Sequence, residues 1–415
     1  MRKKLLISAY ACHPYRGSEH GIGWYYSLRL ADYYDLFVIT RADNRSEIEE
    51  ALRRSGKENI KFIYIDLPEP MRFWKRGEKG LYIYYFIWQV LAFFTAIRLH
   101  RKEHFKAVWH LTFGNMVLPT FLPFINARFI WGPIGGGNRI PLSFWKYISL
   151  RGKINELMRL VVLFLLRINP LFYLYCKKAA IILVRTRETA RLLPSRFRKK
   201  AVLFQETAMD PEDVPVLCNG EFKANRLHEE TKTVFITVGR LMWHKGIVFS
   251  LYVLNRIYEK VPDLDWKYKI IGSGPEYGFI TRQIGCFPFK DRVKLIGKLP
   301  RERVIEEYKS ADIFLLLSGR EGGSWALLEA MLCGLVPVVL DAGGSSEIVT
   351  DECGIIAYSE TPSSLIEILA DKLIEIMKKP ECISEIGLRA RERVLNELSW
   401  EKKISELQKL VDQVL

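Results

Sequence analysis

A chain of 415 residues that is 49% hydrophobic can bury more than one core, and its length favours two domains. Seven cysteines, at positions 12, 176, 218, 286, 333, 353 and 382, show no CxxC or other metal-ligand spacing, which excludes a disulfide scaffold or structural zinc and fits reduced thiols in a cytosolic setting. The net charge of +15 is uneven, because residues 1–200 carry 35 Lys and Arg against 14 Asp and Glu while the remainder is net −6; the basic half suits a polyanion such as phospholipid, lipid phosphate or nucleic acid, although a solvated basic surface accounts for the same charges.

The N-terminal apolar run, Leu5–Ala9, is shorter than the ~7–15 residues of a signal-peptide core, so residues Lys4–Tyr10 read as a first strand. Further short β-branched or aromatic runs follow at Leu36–Thr40, Phe62–Ile65, Ala107–Leu111, Phe129–Trp131 and Ile181–Val184. Helical patterns at Gly23–Tyr33, Ser46–Arg54, Tyr82–Arg101 and Glu188–Leu193 lie between them, and strands alternating with helices predict a parallel α/β layer. Two apolar stretches, Leu81–Ile97 (with Gln89 inside) and Leu157–Cys176 (with Arg159, Arg167 and Pro170), fall short of the ~20 clean apolar residues of a spanning helix. Their aromatic content and flanking Arg and Lys suit either a buried core helix or a helix lying in a bilayer interface.

After Phe204 the alternation breaks, and Pro211, Pro215, Asn219-Gly220 and the polar run to Thr231 read as a linker. A second series of strands is expected at Thr233–Val238, Tyr268–Ile271, Val293–Leu295, Ile313–Leu317, Val336–Leu340 and Gly354–Ala357. Two such series predict Rossmann-like lobes over 1–207 and 208–395 with a cleft between them and ligand at the carboxyl ends of the strands. Residues Trp400–Leu415 predict an amphipathic helix with Ile404, Leu407, Leu410, Val411 and Leu415 on one face.

Two clusters carry chemistry. The run Arg320-Glu321-Gly322-Gly323-Ser324-Trp325-Ala326-Leu327-Leu328-Glu329 follows an apolar strand and opens a helix, so its glycines and helix N-terminus suit an anion such as a diphosphate. Glu321 and Glu329, eight apart, can each hydrogen-bond a ligand hydroxyl, or serve only the helix dipole and a solvated face. Gly239-Arg240-Leu241 and Lys245-Gly246 follow the strand Thr233–Val238, placing two cations within reach of one diphosphate. A glycine-rich loop, Gly132-Pro133-Ile134-Gly135-Gly136-Gly137, and Arg16-Gly17-Ser18-Glu19 mark backbone–ligand approaches in the first half.

GRL-x3-KG, then Ile271-Gly272-Ser273-Gly274-Pro275, then E-x7-E, together resemble the donor domain of retaining glycosyltransferases of family four, over roughly residues 233–360. The resemblance implies the GT-B fold: two facing Rossmann-like α/β domains, with a C-terminal helix at 396–415 crossing back to the first. It implies that Arg240 and Lys245 hold the donor diphosphate, Glu329 the ribose and Glu321 the sugar hydroxyls. The amides near Ser324 and Trp325 would meet the phosphates, Gly274 would admit the donor, and Lys298 would lie beside the base. The family's EGFG reads here as EGGS, and its GGxE loop as Arg16-Gly17-Ser18-Glu19, near the donor phosphate and the acceptor. The family's HxH strand end reads His110-Leu111-Thr112, which makes His110 a candidate at the reacting sugar, with His13 competing; Glu19 and Gly136 belong on the acceptor side.

Asp263-Leu264-Asp265 resembles the DxD metal motif of another glycosyltransferase fold, but it sits in a Pro-bounded turn where acidic residues are ordinary. No metal and no further cofactor is expected, because Arg, Lys and helix dipoles neutralise a leaving diphosphate. The expected activity is sugar transfer from a UDP- or GDP-type donor to a glycan or lipid-linked acceptor with retention, in cell-surface polysaccharide synthesis. The basic, aromatic first half places the protein in the cytoplasm, peripheral on the inner face of the membrane, and no nucleic-acid recognition motif is present. A nucleotide-sugar epimerase of similar fold, active without an acceptor, and a non-enzymatic polyanion binder are the alternatives.

Overall fold

Runs of β-branched, aliphatic and aromatic residues bounded by Gly, Pro or charged turns become the parallel strands of two sheets. The computed structural model describes residues 2–72, 74, 80–214, 232–358 and 361–415. The chain divides into two units, one formed by Met1–Gly137, Val162–Glu206 and Lys403–Leu415, the other by Asn138–Val161 and Thr207–Lys402.

In the first unit β1 (Lys4–Ser8), β2 (Asp35–Arg41), β3 (Ile60–Ile65), β4 (Ala107–His110), β5 (Arg128–Ile134), β6 (Ala179–Val184) and β7 (Ala201–Leu203) lie in the order β3-β2-β1-β4-β5-β6-β7. Its helices are α1 (Glu19–Leu30), α2 (Arg45–Ser55), α3 (Leu81–Glu103), α4 (Leu150–Leu166, which continues from the second unit), α5 (Pro170–Lys178) and α6 (Arg187–Leu192). Six of these strands are legible as apolar runs; β7 is a three-residue edge strand too short to show a pattern. The first helix starts at Glu19, four residues before the apolar periodicity begins, with the Glu19 carboxylate in its first turn.

The two apolar stretches resolve into two-faced helices. On α3 the residues Tyr84, Tyr85, Trp88, Gln89, Ala92 and Ala96 are buried, while Tyr82, Ile83, Phe86 and Phe94 are exposed. Gln89 is accommodated because its amide donates to the Tyr85 hydroxyl at 2.9 Å. Among the described residues α3 is the one unbroken helix long and apolar enough to cross a membrane, and α4 with α5 forms a pair bent by 64°. The bend falls where Pro170 opens α5 and Asn169 caps it through Leu171 N–H.

In the second unit β8 (Thr233–Val238), β9 (Trp266–Ile271), β10 (Val293–Gly297), β11 (Ile313–Leu316), β12 (Val336–Leu340) and β13 (Ile355–Ala357) take the order β10-β9-β8-β11-β12-β13. Around them lie α7 (Ile247–Lys260), α8 (Tyr277–Gly285), α9 (Arg301–Lys309), α10 (Trp325–Leu332), α11 (Ser345–Ile348), α12 (Pro362–Met377), α13 (Pro380–Glu397) and the start of α14 (Trp400–Val414). Strand side chains alternate between two apolar layers: Phe235, Ile313, Leu315 and Val338 enter one, Ile236, Phe314, Leu316 and Val339 the other. Each sheet reverses its order beside its first strand, between β1 and β4 and between β8 and β11, which opens a ligand crevice at the carboxyl edge.

The units depart from domains cut at residue 207. Residues 138–161 pack with the second unit because Tyr147 meets Phe249 and Tyr252 edge-on, at 5.0 and 4.9 Å between ring centroids. Ser149 also donates to Glu276 at 2.9 Å. The expected linker is a short 3-10 turn at Pro211–Asp213, and the rest of it, with Cys218, lies outside the described residues. The described cysteines are all free.

From Lys403 onward α14 packs in the first unit, burying Ile404, Leu407, Val411 and Val414. Tyr34 donates to Asp412 at 3.1 Å, and Arg128 donates to the Val414 carbonyl. Because Leu407 is fully buried, Leu407→Ala is expected to cost about 2–5 kcal/mol and Leu407→Met less than about 1.5 kcal/mol, read as shifts of the urea midpoint.

Candidate active site

In the second unit the loops at the carboxyl edge are stitched together through backbone atoms. Leu241 N–H donates to the Ser273 carbonyl at 3.0 Å, and Glu276 N–H to the Leu241 carbonyl at 3.1 Å, joining the loops after β8 and β9. Gly274 belongs there because a side chain would stand 2.4 Å from that carbonyl. The His244 carbonyl accepts from Gly319 N–H at 3.1 Å and from the Ser318 hydroxyl at 2.9 Å, joining the loops after β8 and β11. Gly344 N–H donates to the Glu321 carbonyl at 2.8 Å. Beside it Gly343 has φ 73°, and a Cβ would come within 2.3 Å of the same carbonyl.

These links bring the expected donor residues to one edge. Lys245 forms an ion pair with Glu321. Ser324 caps α10 by accepting from Leu327 N–H at 3.3 Å, and the half-buried Trp325 in the first turn packs against Trp400, 6.1 Å between centroids. One Glu329 oxygen receives both Arg301 Nε (2.9 Å) and Nη2 (2.8 Å); burial raises the pKa of this carboxyl, against the pull of Arg301. Arg240 and Lys298 are exposed at the ends of β8 and β10.

Sequence reasoning missed the group beneath these loops. The buried Glu156 carboxylate on α4 accepts from Trp243 Nε1 at 2.8 Å and from Arg320 Nη1 at 2.5 Å. Arg320 Nη2 lies 3.3 Å from His244 Nδ1. Burial, with the nearby Arg320 and Lys245 charges, holds His244 well below the usual histidine range, so it is neutral. Asn138 donates to the Glu321 carbonyl at 3.4 Å, and Arg159 Nη2 to the Asn138 carbonyl at 3.1 Å. The available signal was a solitary acid: Glu156 is one of two carboxylates between residues 151 and 200.

In the first unit Glu19 and Gly136 line one cavity of about 290 Å³, together with Tyr82, Phe113, Asn115 and Arg185. Gly136 has φ 105° beside the Asn115 amide. Glu19 accepts from Phe113 N–H at 2.9 Å and pairs with Arg185 at 2.5 Å. Gly17 is exposed on the preceding loop, and the left-handed backbone there falls on Ser18, φ 59°. His13 is buried, its Nδ1 accepting from Tyr15 N–H at 3.1 Å; burial and Arg16 lower its pKa.

His110 is not among the residues that line this cavity; it stands at the end of β4 and is 1% exposed. Its Nε2 is 3.5 Å from the Tyr85 hydroxyl, and burial lowers its pKa to about 4, leaving a neutral imidazole at neutral pH. Asp263 and Asp265 lie before β9, at the amino edge of the sheet and opposite the loops of the carboxyl edge; Asp265 pairs with Lys232 at 3.1 Å. No group of three His, Cys, Asp or Glu converges among the described residues.

Residues 219–393 match the family model of group 1 glycosyl transferases. Among curated relatives, the chain is 31% identical over 165 residues to N-acetyl-alpha-D-glucosaminyl L-malate synthase of Bacillus anthracis, covering 39% of this chain and 42% of that protein. It is 26% identical over 235 residues to a phosphatidylinositol N-acetylglucosaminyltransferase subunit of Homo sapiens, covering 55% and 46%. The chain thus spans less than half the length of these relatives. Among solved structures, Anabaena HepE in complex with UDP and glucose aligns over 99% of this chain and all of that one, at 15% identity and a TM-score of 0.59. The shared architecture is the GT-B fold of two parallel-sheet Rossmann-like domains.

Arg185 also pairs through Nε with Glu206 at 2.7 Å, an ion pair without hydrogen-bond direction. Burial raises the Glu206 carboxyl to about 7, opposed by Arg185 and helped by Glu19. Native Glu206 therefore holds its proton above the ~4.3 of an unfolded glutamate. Its contribution to stability is complete below that value and is lost as pH rises through about 7. Melting midpoints of wild type and Glu206→Gln, compared from pH 5 to 8, should show wild type losing stability relative to the variant as pH rises; parallel curves would contradict the assignment.

Proposed function

We propose that this protein is a glycosyltransferase that moves a sugar from a nucleotide-diphosphate donor of UDP or GDP type to a glycan or lipid-linked acceptor, with retention of configuration, in cell-surface polysaccharide synthesis. The observation that carries this reading is the convergence of Arg240, Lys245, Glu321 and Glu329 at one carboxyl edge, inside the segment that matches the family model. An entering diphosphate would take Lys245 and Arg240, leaving Glu321 for the sugar hydroxyls and Glu329 for the ribose. The bond from the anomeric carbon to the diphosphate breaks as the acceptor oxygen attacks on the same face. The departing phosphate oxygen takes the acceptor proton, while the two cations and the N-terminus of α10 neutralise its charge. These steps need neither a metal nor a further cofactor.

The acceptor side draws on the cavity of the first unit, which is lined by the aromatic residues Tyr82 and Phe113 together with Glu19, Asn115 and Arg185. A lipid-linked acceptor presented at an anionic membrane on the cytoplasmic side is supported by α4. Leu150, Ile154, Leu157, Met158, Val161, Val162 and Leu165 repeat at helical spacing and are 40–73% exposed, with Arg151 and Arg167 at the ends of the helix. The human relative, named for transfer of N-acetylglucosamine to phosphatidylinositol, fits the same kind of acceptor.

Lys245→Ala and Glu321→Ala should each abolish sugar transfer while the chain still folds, read as a cooperative melting transition, and undiminished turnover in either would refute the site. A nucleoside diphosphate at 100 times its Kd should stabilise the protein by about 2.7 kcal/mol in a thermal-shift measurement. In flotation assays at low salt the protein should partition onto phosphatidylglycerol-containing vesicles more than onto phosphatidylcholine vesicles, and Leu157→Glu/Val161→Glu should weaken that binding. Equal indifference to both vesicle types would remove the membrane from the proposal.

A further inference from the structure

Glu156 lies 87 residues before Trp243 and 164 before Arg320, yet one of its carboxylate oxygens accepts from both. Each partner sits beside a donor residue: Trp243 two positions before Lys245, Arg320 next to Glu321. The side chain of Glu156 is 2% exposed and that of Arg320 20%, so this pair is a buried one whose partners cannot be left alone cheaply. The charges form two separate pairs, Glu156 with Arg320 and Glu321 with Lys245. Burial disfavours the Arg320 cation, and the carboxylates that oppose this are Glu156 first and Glu321 second. With Glu156 gone, the acid nearest in influence to that buried guanidinium is Glu321, the group assigned to the donor sugar. His244, on the other side of Arg320, is neutral and offers no negative charge.

We propose that Glu156 is a positioning residue of the donor site: by taking Arg320 and Trp243 it holds the loops after β8 and β11 in place and leaves Glu321 and Lys245 to the nucleotide sugar. The inference rests on reading this site as a donor site. It makes α4 a helix with two tasks, an apolar outer face and a polar inner face carrying Glu156 and Arg159 under the donor loops.

The test is a double-mutant cycle on the full chain, with donor KM, acceptor KM and kcat measured for wild type, Glu156→Gln, Arg320→Gln and Glu156→Gln/Arg320→Gln, alongside melting midpoints. Glu156→Gln should raise donor KM by about tenfold with acceptor KM little changed, and the double variant, with both charges gone and an amide pair in their place, should return to within about threefold of wild type. A support role confined to packing would instead give losses that multiply in the double variant, and that result overturns the proposal, as does an unchanged donor KM in Glu156→Gln. Should the single variant fail to fold, the double variant still decides: near-wild-type donor KM sustains action through Arg320, and a lost one overturns it. A wild-type chain that neither transfers sugar nor shifts its melting midpoint with UDP or GDP overturns the donor-site reading itself, and this inference with it.

Discussion

The carboxyl edge of the second unit depends on how four buried or half-buried charges divide among themselves. Glu156 faces Arg320 and Glu321 faces Lys245, and in a place that excludes most water any other division leaves one ion without a partner. Such a charge costs several kcal/mol when uncovered, far more than an exposed surface pair returns. The backbone links between the same loops, from Leu241 to Ser273, His244 to Gly319 and Glu321 to Gly344, keep the charges at the separations this division requires. Loop geometry and charge pairing therefore stabilise each other.

The first unit solves a related problem with the opposite balance. Arg185 stands between Glu19 and Glu206, so two carboxylates share one guanidinium, and burial raises the Glu206 carboxyl to about 7. The lining of the cavity beside it carries one acid, Glu19, and one cation, Arg185, with aromatic and amide neighbours.

Much of this architecture was legible. Strands buried on both faces must be almost wholly apolar, so twelve of the thirteen announce themselves as short runs, and glycines mark the turns where loops touch. The residues expected to meet the donor lie within short local motifs, which is why their spacing carries meaning before any folding is known. His110 is less well indicated: a histidine at a strand end reads the same whether it faces a ligand or the core, and here it is buried with Nε2 3.5 Å from the Tyr85 hydroxyl.

The sequence by itself determined the α/β class and the two strand series, and singled out Arg240, Lys245, Glu321 and Glu329 as donor candidates, because each rests on local periodicity or on a short local motif. Only the tertiary structure decided that residues 138–161 pack with the second unit, that Glu156 holds Arg320, and that Arg185 is shared by Glu19 and Glu206. Those partners lie between 21 and 166 residues apart along the chain. Pairing at such distances leaves no period or spacing in the sequence; it follows from burial, which forces each charge to find whichever opposite charge the fold brings near.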